Sequence, residues 1–309
     1  MRAAVLREYG VPQAGEFEEP VAGAGQALVA VLAAGLNPVD VAICAGRFYA
    51  GRPPLPSVAG REGVGMLDGR RVYFDAPLPP FGSMAELALI DAAACYPLAD
   101  EIEDGVAVAL GISGLAAWLA LTWRAQLKPG EHVLVLAGSG VLGQIAIQSA
   151  RRLGAARVVA AARSQQGLER CLELGADAIV KLDQPDLPSA LTAAGEGRID
   201  VVVDPLFGEP FSAAVEAASF GARIVQLGSG AGSEATLDSA AVRGKMLQIM
   251  GHSNFAAPAE VKHEAYMRLA KAAAAGEVTV EVDALGLEQV AEAWRRLAAG
   301  SHRKIVLVP

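Results

Sequence analysis

The fold is decided by residues 133–144, VLVLAGSGVLGQ, in which four apolar residues lead into a glycine-rich turn and the start of an amphipathic helix. Gly138 permits a tight turn, Gly140 lets the backbone approach a pyrophosphate, and Gly143 lets helix and strand pack closely. The alternative is an ordinary tight turn between packed elements, but the strand, turn and helix together favour a dinucleotide site at the helix start. We expect the pyrophosphate to bind at Gly138, Ser139, Gly140, Val141, Leu142 and Gly143.

Around this stretch, apolar strands alternate with amphipathic helices. Strands are predicted at 132–137, 157–162, 178–181, 200–204, 222–228 and 247–251, and helices at 141–153, 165–174 and 211–220. Uninterrupted apolar runs such as Val201-Val202-Val203 are typical of parallel strands that helices cover on both faces. The alternation predicts an α/β Rossmann fold with a doubly wound parallel sheet.

The first hundred residues show a different pattern of predicted secondary structure. Short strands are predicted at 3–7, 26–34, 63–67, 71–74 and 85–90, and loops rich in proline or glycine at 46–60 and 75–82. This pattern is typical of a small, barrel-like antiparallel domain. After residue 258 come two helices and a strand at 304–308, and we expect this tail to rejoin the first domain. The predicted domains are therefore 1–113 with 254–309, and 114–253.

Length and composition limit the class of protein. A chain of 309 residues predicts two domains, and 53% hydrophobic with 19% charged residues excludes a disordered chain. The net charge of -8 argues against a nucleic-acid or anionic-membrane partner. The uncharged stretch 105–123 contains three glycines, which favours a buried helix pair broken at 111–114 over a membrane span. Three cysteines without a C-x-x-C pair, and no signal peptide, predict a cytoplasmic protein.

The end of the second Rossmann strand indicates which dinucleotide binds. An NAD site usually has Asp or Glu about 20 residues after the glycine loop, where the carboxylate binds the ribose hydroxyls. This chain has no carboxylate there, and Arg163 and Ser164 follow the strand instead. A guanidinium binds a 2′-phosphate bidentately and a serine can donate to it, so we predict NADP(H). The alternative is a solvated surface arginine.

These motifs belong to a wider resemblance. In order and spacing, segments over nearly the whole chain resemble the zinc-independent quinone oxidoreductase branch of the medium-chain dehydrogenase/reductase superfamily. The matching segments are 34–40 (AGLNPVD), 46–48 (GRF), 59–65 (AGREGVG), 82–86 (GSMAE), 114–118 (GLAAW), 148–150 (QSA) and 302–307 (HRKIVL). The resemblance implies a GroES-like, mostly-β catalytic domain and a Rossmann cofactor domain, with the active site in the cleft between them.

Zinc-dependent members of the superfamily hold a catalytic metal with Cys, His and Cys. Here the first Cys position falls within 37–40, the His is replaced by Arg61, and the second Cys position falls near Gly111. None of the three zinc-ligating residues is therefore present. The cysteine-rich structural zinc lobe is absent as well, and the four histidines lack ligand spacing. We therefore predict no metal.

Without zinc, a plain alcohol or ketone is difficult to polarise. The resemblance implies hydride transfer from NADPH to an electrophilic acceptor, a quinone or an α,β-unsaturated carbonyl, which needs orientation more than a Lewis acid. Two other functions stay open: an alkenal or enoyl-thioester reductase on the same scaffold, and a non-catalytic NADPH-binding protein with a structural or redox-sensing role. The replacement of cleft tyrosines by Ala42 and Phe48 motivates the last of these.

By resemblance, three residues are candidates for the catalytic machinery. Asn37 matches a family residue near the nicotinamide and the acceptor, so its amide is expected to donate to a developing oxyanion; the alternative is a turn residue. Tyr49, in a loop, is a candidate hydrogen-bond donor or acid. Arg61 is either a fixed cation near the acceptor oxygen or an ion-pair partner of Glu62 or Asp40.

Further cofactor contacts, and the assembly, follow from the resemblance. The backbone at Gly228 and Ser229 is expected near the nicotinamide ribose, Ser253 near the nicotinamide, and Arg303 at the cofactor phosphates. The apolar sixth strand at 247–250 predicts an exposed sheet edge, which relatives pair across a two-fold axis, so a homodimer is expected.

Overall fold

The structure is a computed structural model that describes all residues from Met1 to Pro309. Its strands are β1 (Arg2–Leu6), β2 (Gln13–Glu16), β3 (Gln26–Gly35), β4 (Ser57–Val58), β5 (Glu62–Leu67), β6 (Arg70–Asp75), β7 (Leu87–Asp91), β8 (Cys95–Pro97), β9 (His132–Leu136), β10 (Arg157–Ala162), β11 (Ala178–Lys181), β12 (Val201–Asp204), β13 (Arg223–Gln226), β14 (Gln248–Gly251), β15 (Val282–Gly286) and β16 (Lys304–Val308). Its α-helices are α1 (Pro38–Cys44), α2 (Asp104–Ala109), α3 (Leu115–Leu119), α4 (Val141–Arg152), α5 (Gln165–Glu173), α6 (Leu187–Ala194), α7 (Gly208–Ala217), α8 (Ser239–Gly244), α9 (Ala259–Ala274) and α10 (Val290–Ala298).

The chain divides into two compact units, and the first is assembled from both ends of the sequence. It comprises Met1–Ile112 and Tyr266–Pro309, and the second comprises Ser113–Ala265. The C-terminal segment joins the first unit because β16 pairs antiparallel with β3. The second boundary lies inside α9, later than the predicted position after residue 253.

The second unit is a doubly wound parallel sheet. Its strand order is β11-β10-β9-β12-β13-β14, and every neighbouring pair is parallel. The strand order reverses between β9 and β12, which is the switch point at which such sheets bind ligands. The predicted apolar runs are fully buried in β9 and β12, as expected for strands covered on both faces. The Rossmann prediction is confirmed.

The first unit is rich in sheet. A seven-stranded sheet has the order β15-β16-β3-β5-β6-β8 with β7 also paired to β3, and a separate three-stranded sheet has the order β2-β1-β4. All pairs are antiparallel except β15 with β16. Its main apolar cluster includes Phe74, Trp294 and Leu307, and a smaller cluster lies around Val5 and Val58. This arrangement confirms the expected GroES-like, mostly-β domain.

Several short elements of the first unit were not predicted from the sequence. Residues 37–40 were expected to form a turn or a site segment, but Asn37 is the N-cap of α1 and Pro38 is its first residue. Proline suits the first helical position, because the amide that it lacks has no partner there. The predicted exposed loop 46–60 ends in the buried strand β4. Elements of two to seven residues carry too little periodicity to stand out in a sequence.

The uncharged stretch is helical from α2 through α3, with an interruption at Gly111 (φ -66°, ψ -113°). By length and composition, residues Asp104–Arg124 are apolar enough to cross a membrane, and 72% of the most apolar window is buried within the protein. The break lies within the predicted segment 111–114.

Candidate functional site

The glycine loop lies between β9 and α4, with Gly140 as the N-cap of α4. A Cβ on Gly143 would overlap the carbonyl oxygen of Ala137, so only glycine lets the helix start this close to the strand. The expected role of Gly138 needs a correction. The left-handed residue of the turn is Ala137 (φ 53°), whereas a Cβ on Gly138 would lie 2.8 Å from the Cβ of Ala160 on β10. Gly138 is therefore required for packing against the neighbouring strand.

The start of α4 presents backbone donors. The first hydrogen bond of the helix runs from the amide of Gln144 to the carbonyl of Gly140 at 2.9 Å, so the amides of Val141, Leu142 and Gly143 have no acceptor inside the helix. The side chain of Gln144 donates to the carbonyl of Ser139 at 2.8 Å and holds the loop in place. Such a helix start binds anions through its amides and its dipole.

The end of β10 carries a cation beside a hydroxyl. Arg163 is exposed and makes no ion pair. Ser164 is the N-cap of α5, and its Oγ accepts a hydrogen bond from the amide of Gly167 at 3.1 Å. Because a hydroxyl that accepts through a lone pair still has its hydrogen to give, Ser164 can also donate to a ligand. No carboxylate lies between β10 and α5, so this position suits a phosphate.

The loops after β12, β13 and β14 lie at the same edge of the sheet, because parallel strands end there together. Gly228 packs against the carbonyl oxygen of Pro205, where a Cβ would lie at 2.9 Å, and Ser229 follows it. Ser253 caps the short turn after β14. Sequence reasoning overlooked Asp204, the last residue of β12. Its Oδ1 accepts from the amides of the next turn at 2.8 and 3.0 Å, and burial raises its pKa to about 6.

The first unit contains a buried network of polar side chains around Glu62. The Glu62 Oε1 atom accepts from Lys304 Nζ and from Asn37 Nδ2, both at 2.8 Å, and Lys304 Nζ also donates to Asn37 Oδ1 at 2.7 Å. Oε2 accepts from the Tyr73 hydroxyl at 3.0 Å and from the amide of Ile112 at 2.6 Å. Glu62 is 0% exposed and Lys304 1%. Sequence reasoning missed Glu62 as the centre and Lys304 altogether, although a lysine opening the apolar strand KIVLV was a visible signal.

Asp40 extends this network along α1. Its Oδ2 accepts from the backbone amide of Asn37 at 2.8 Å and from Asn37 Nδ2 at 3.2 Å. The side chain is 1% exposed. Burial, and then the negative charge of Glu62, raise the pKa of Asp40 to about 7.

This geometry corrects the role expected of Asn37. The Nδ2 group has two hydrogens, and the carboxyl groups of Asp40 and Glu62 accept them. Asn37 is 2% exposed. Its amide is therefore not available to donate to an oxyanion on an acceptor, and its place in the structure is that of a helix cap held by three ionisable side chains.

The other two catalytic candidates lie in different surroundings. Tyr49 is 76% exposed, and its ring centroid lies 4.5 Å from that of Phe48. Arg61 is half-buried and directly precedes Glu62, which pairs with Lys304. The catalytic roles of Tyr49 and Arg61 stay predictions.

Arg303 forms ion pairs with two carboxylates at the surface of the first unit. Its guanidinium pairs with Glu281 at 3.0 Å and with Asp283 at 2.6 Å, both in the same unit. The neighbouring Lys304, the first residue of β16, is buried. The contact of Arg303 with cofactor phosphates stays a prediction.

The residues of the first unit do not fit a zinc ion. No group of three or more His, Cys, Asp or Glu side chains is arranged to hold a metal. A side chain on Gly111, where a zinc enzyme has its second cysteine, would overlap Glu62 Oε2 and the hydroxyl of Tyr73. Burial raises the pKa of Cys44 to about 12 and that of Cys95 to about 11, so both side chains are protonated thiols at neutral pH.

Comparison with known proteins agrees with this architecture. Residues 141–271 match the family model described as zinc-binding dehydrogenase. The chain is 31% identical over 229 residues to quinone oxidoreductase-like protein 2 of Bos taurus, an alignment that covers 70% of this chain and 64% of that protein. It is 30% identical over 244 residues to the quinone oxidoreductase of Rattus norvegicus, covering 74% and 73% of the two chains. The quinone oxidoreductase of Thermus thermophilus, crystallised also in complex with NADPH, is 29% identical with a TM-score of 0.88, and both chains are covered completely.

The fold and the glycine loop define a nicotinamide-type oxidoreductase. The chain belongs to the medium-chain dehydrogenase/reductase superfamily, in its quinone oxidoreductase-like branch.

Proposed function

We propose that this oxidoreductase transfers hydride from NADPH to a quinone or an α,β-unsaturated carbonyl, without a metal. The observation that carries the cofactor choice is the end of β10, where the unpaired Arg163 and the hydroxyl of Ser164 stand in place of a carboxylate. A guanidinium and a hydroxyl bind a 2′-phosphate, whereas a carboxylate would repel it. The Thermus relative, which was crystallised with NADPH, supports this choice.

Two sets of residues in the second unit would bind the two phosphate-containing parts of the cofactor. The amides of Val141, Leu142 and Gly143 would hold the pyrophosphate, and Arg163 with Ser164 would hold the 2′-phosphate. NADPH, when bound, supplies the hydride. An acceptor that is already electrophilic needs orientation and no Lewis acid.

Oxidation of reduced nicotinamide, followed by absorbance, tests the proposal. We expect turnover of 1,4-naphthoquinone or 2-cyclohexen-1-one with NADPH, and a much lower rate with NADH. Cyclohexanone is the matched control, because it lacks the conjugated double bond and is expected to be inert. Cofactor binding without turnover of any quinone or enone would contradict an enzymatic function and favour the structural or redox-sensing alternative.

We also propose a homodimer formed through β14. This strand is at the edge of its sheet, where it pairs only with β13, and Ile249 on it is 40% exposed. Phe220 (76% exposed) and Met246 (64% exposed) lie in the turns that precede β13 and β14, so apolar surface accompanies the open edge. An exposed apolar edge of this kind promotes pairing with a second strand.

Sedimentation at micromolar concentration tests this assembly. We expect the mass of two chains for the wild type and the mass of one chain for Ile249→Lys, because a lysine on an edge strand disfavours pairing. Leu172→Lys is the control, since Leu172 is also exposed (44%) but lies on α5, away from β14. A monomeric wild type, or a dimeric Ile249→Lys variant, contradicts the proposal.

A further inference from the structure

The buried network of the first unit has an unequal number of charges. It contains two carboxyl groups, Asp40 and Glu62, and one ammonium group, Lys304, and each is at most 1% exposed. An uncompensated charge in such a place costs several kcal/mol. The network is electrically neutral only if one of the two carboxyl groups carries a proton.

The hydrogen bonds of the two carboxyl groups show which of them carries the proton. Glu62 accepts on both oxygens, from Lys304, Asn37, Tyr73 and the amide of Ile112, and such a set of donors stabilises a carboxylate. Asp40 accepts on Oδ2 alone, and its Oδ1 is buried without a partner. An oxygen without a donor is a poor place for negative charge and the natural place for a proton.

The other titratable groups around Asp40 add no charge. Cys44 lies one turn further along α1, and burial raises its pKa to about 12. Tyr73 faces Glu62 from β6, and burial, followed by the charge of Glu62, holds the pKa of this phenol well above its ordinary value. Glu62 on β5 and Lys304 on β16 are the charged groups that face Asp40 from the neighbouring strands.

We infer that Asp40 carries a proton on Oδ1 below neutral pH and is a positioning residue for Asn37. As a neutral acid it accepts both hydrogen bonds from Asn37 without placing a second negative charge beside Glu62. When the proton is lost, two carboxylates compete for one ammonium group, and the hydrogen bonds that orient Asn37 change.

Carbon-13 NMR of protein labelled at the aspartate side-chain carboxyl measures the proton directly. We expect one resonance that is absent from Asp40→Asn and titrates with a midpoint near neutral pH. In Glu62→Gln, Asp40 becomes the only carboxyl group left for Lys304, so its midpoint should fall by about one pH unit or more. The resonance of Asp204, a buried aspartate of the other unit, is the internal control and should not respond to Glu62→Gln.

A wild-type midpoint below about 5, or one that is unchanged by Glu62→Gln, would overturn the inference. If Asp40→Asn does not fold, the resonance is assigned instead as the aspartate that shifts in Glu62→Gln. Stability gives a second readout. The pKa of Asp40 is about 7 when folded and has its ordinary value of 3.8 when unfolded, so its stabilising contribution is complete below pH 3.8 and is lost as the pH rises through 7. The fall in the free energy of unfolding between pH 3.8 and pH 7 should be absent in Asp40→Asn.

The positioning role is tested by nitrogen-15 NMR of the Asn37 side-chain amide. In the wild type, the two amide proton resonances should shift as the pH rises through the Asp40 midpoint, because the hydrogen bond to Asp40 changes there. Asp40→Asn has no proton to lose and should show no such shift. Amide resonances that do not move with pH in the wild type, or that move equally in both proteins, would overturn the positioning role.

Discussion

Replacing Lys304 with methionine is expected to lower the free energy of unfolding by about 3–5 kcal/mol at neutral pH. The methionine fills a similar volume but leaves the carboxylate of Glu62, which is 0% exposed, without the ammonium group that lies 2.8 Å away. Urea denaturation followed by circular dichroism measures the loss.

Two further variants separate charge from packing at this position. The double variant Lys304→Met with Glu62→Gln removes both charges and should recover most of the lost stability, because no buried carboxylate is left without a counter-charge. Lys181→Met is the surface control, since Lys181 is 42% exposed and pairs only with the exposed Asp183, and it should cost less than about 1 kcal/mol. A loss below about 1 kcal/mol for Lys304→Met would show that Glu62 does not depend on this lysine.

Arg163→Ala is expected to weaken NADPH binding by about 1.5–3 kcal/mol, which is roughly a 10- to 150-fold rise in Kd. The reason is the loss of charged hydrogen bonds to the 2′-phosphate, so NADH, which lacks that phosphate, should bind as it does to the wild type. Titration calorimetry with both cofactors, and with adenosine 2′,5′-bisphosphate as the isolated end of NADPH, measures the difference.

Arg70→Ala is the matched control for Arg163→Ala, because Arg70 is also exposed but belongs to the other unit. It should leave the affinity for both cofactors unchanged. Equal losses for NADPH and NADH in Arg163→Ala would mean that Arg163 does not bind the 2′-phosphate, and the cofactor proposal would then lose its main support.

Much of the second unit was predictable because its signals are local. The glycine spacing, the apolar runs of β9 and β12 and the missing carboxylate after β10 all lie within short stretches of chain, and the structure places the corresponding elements within a few residues of the prediction. Local patterns also have limits within this unit. Sequence convention assigned the tight turn to Gly138, but the backbone reaches the left-handed region at Ala137, and this depends on how the loop packs on β10.

The sequence by itself determined the class of this protein and the type of its cofactor loop, because both depend on residue patterns that are read along the chain. The tertiary structure alone decided the polar network of the first unit. Lys304 meets Glu62 across 242 residues and Asn37 across 267, through the pairing of β16 with β3. That pairing buries Lys304, whereas Arg303 pairs with carboxylates at the surface. It also brings Lys304 to Asn37, which was expected to donate to an acceptor but is a helix cap whose side-chain hydrogen bonds are all made within the network. Burial and charge pairing are set by the neighbours that folding brings together, and no local pattern records them.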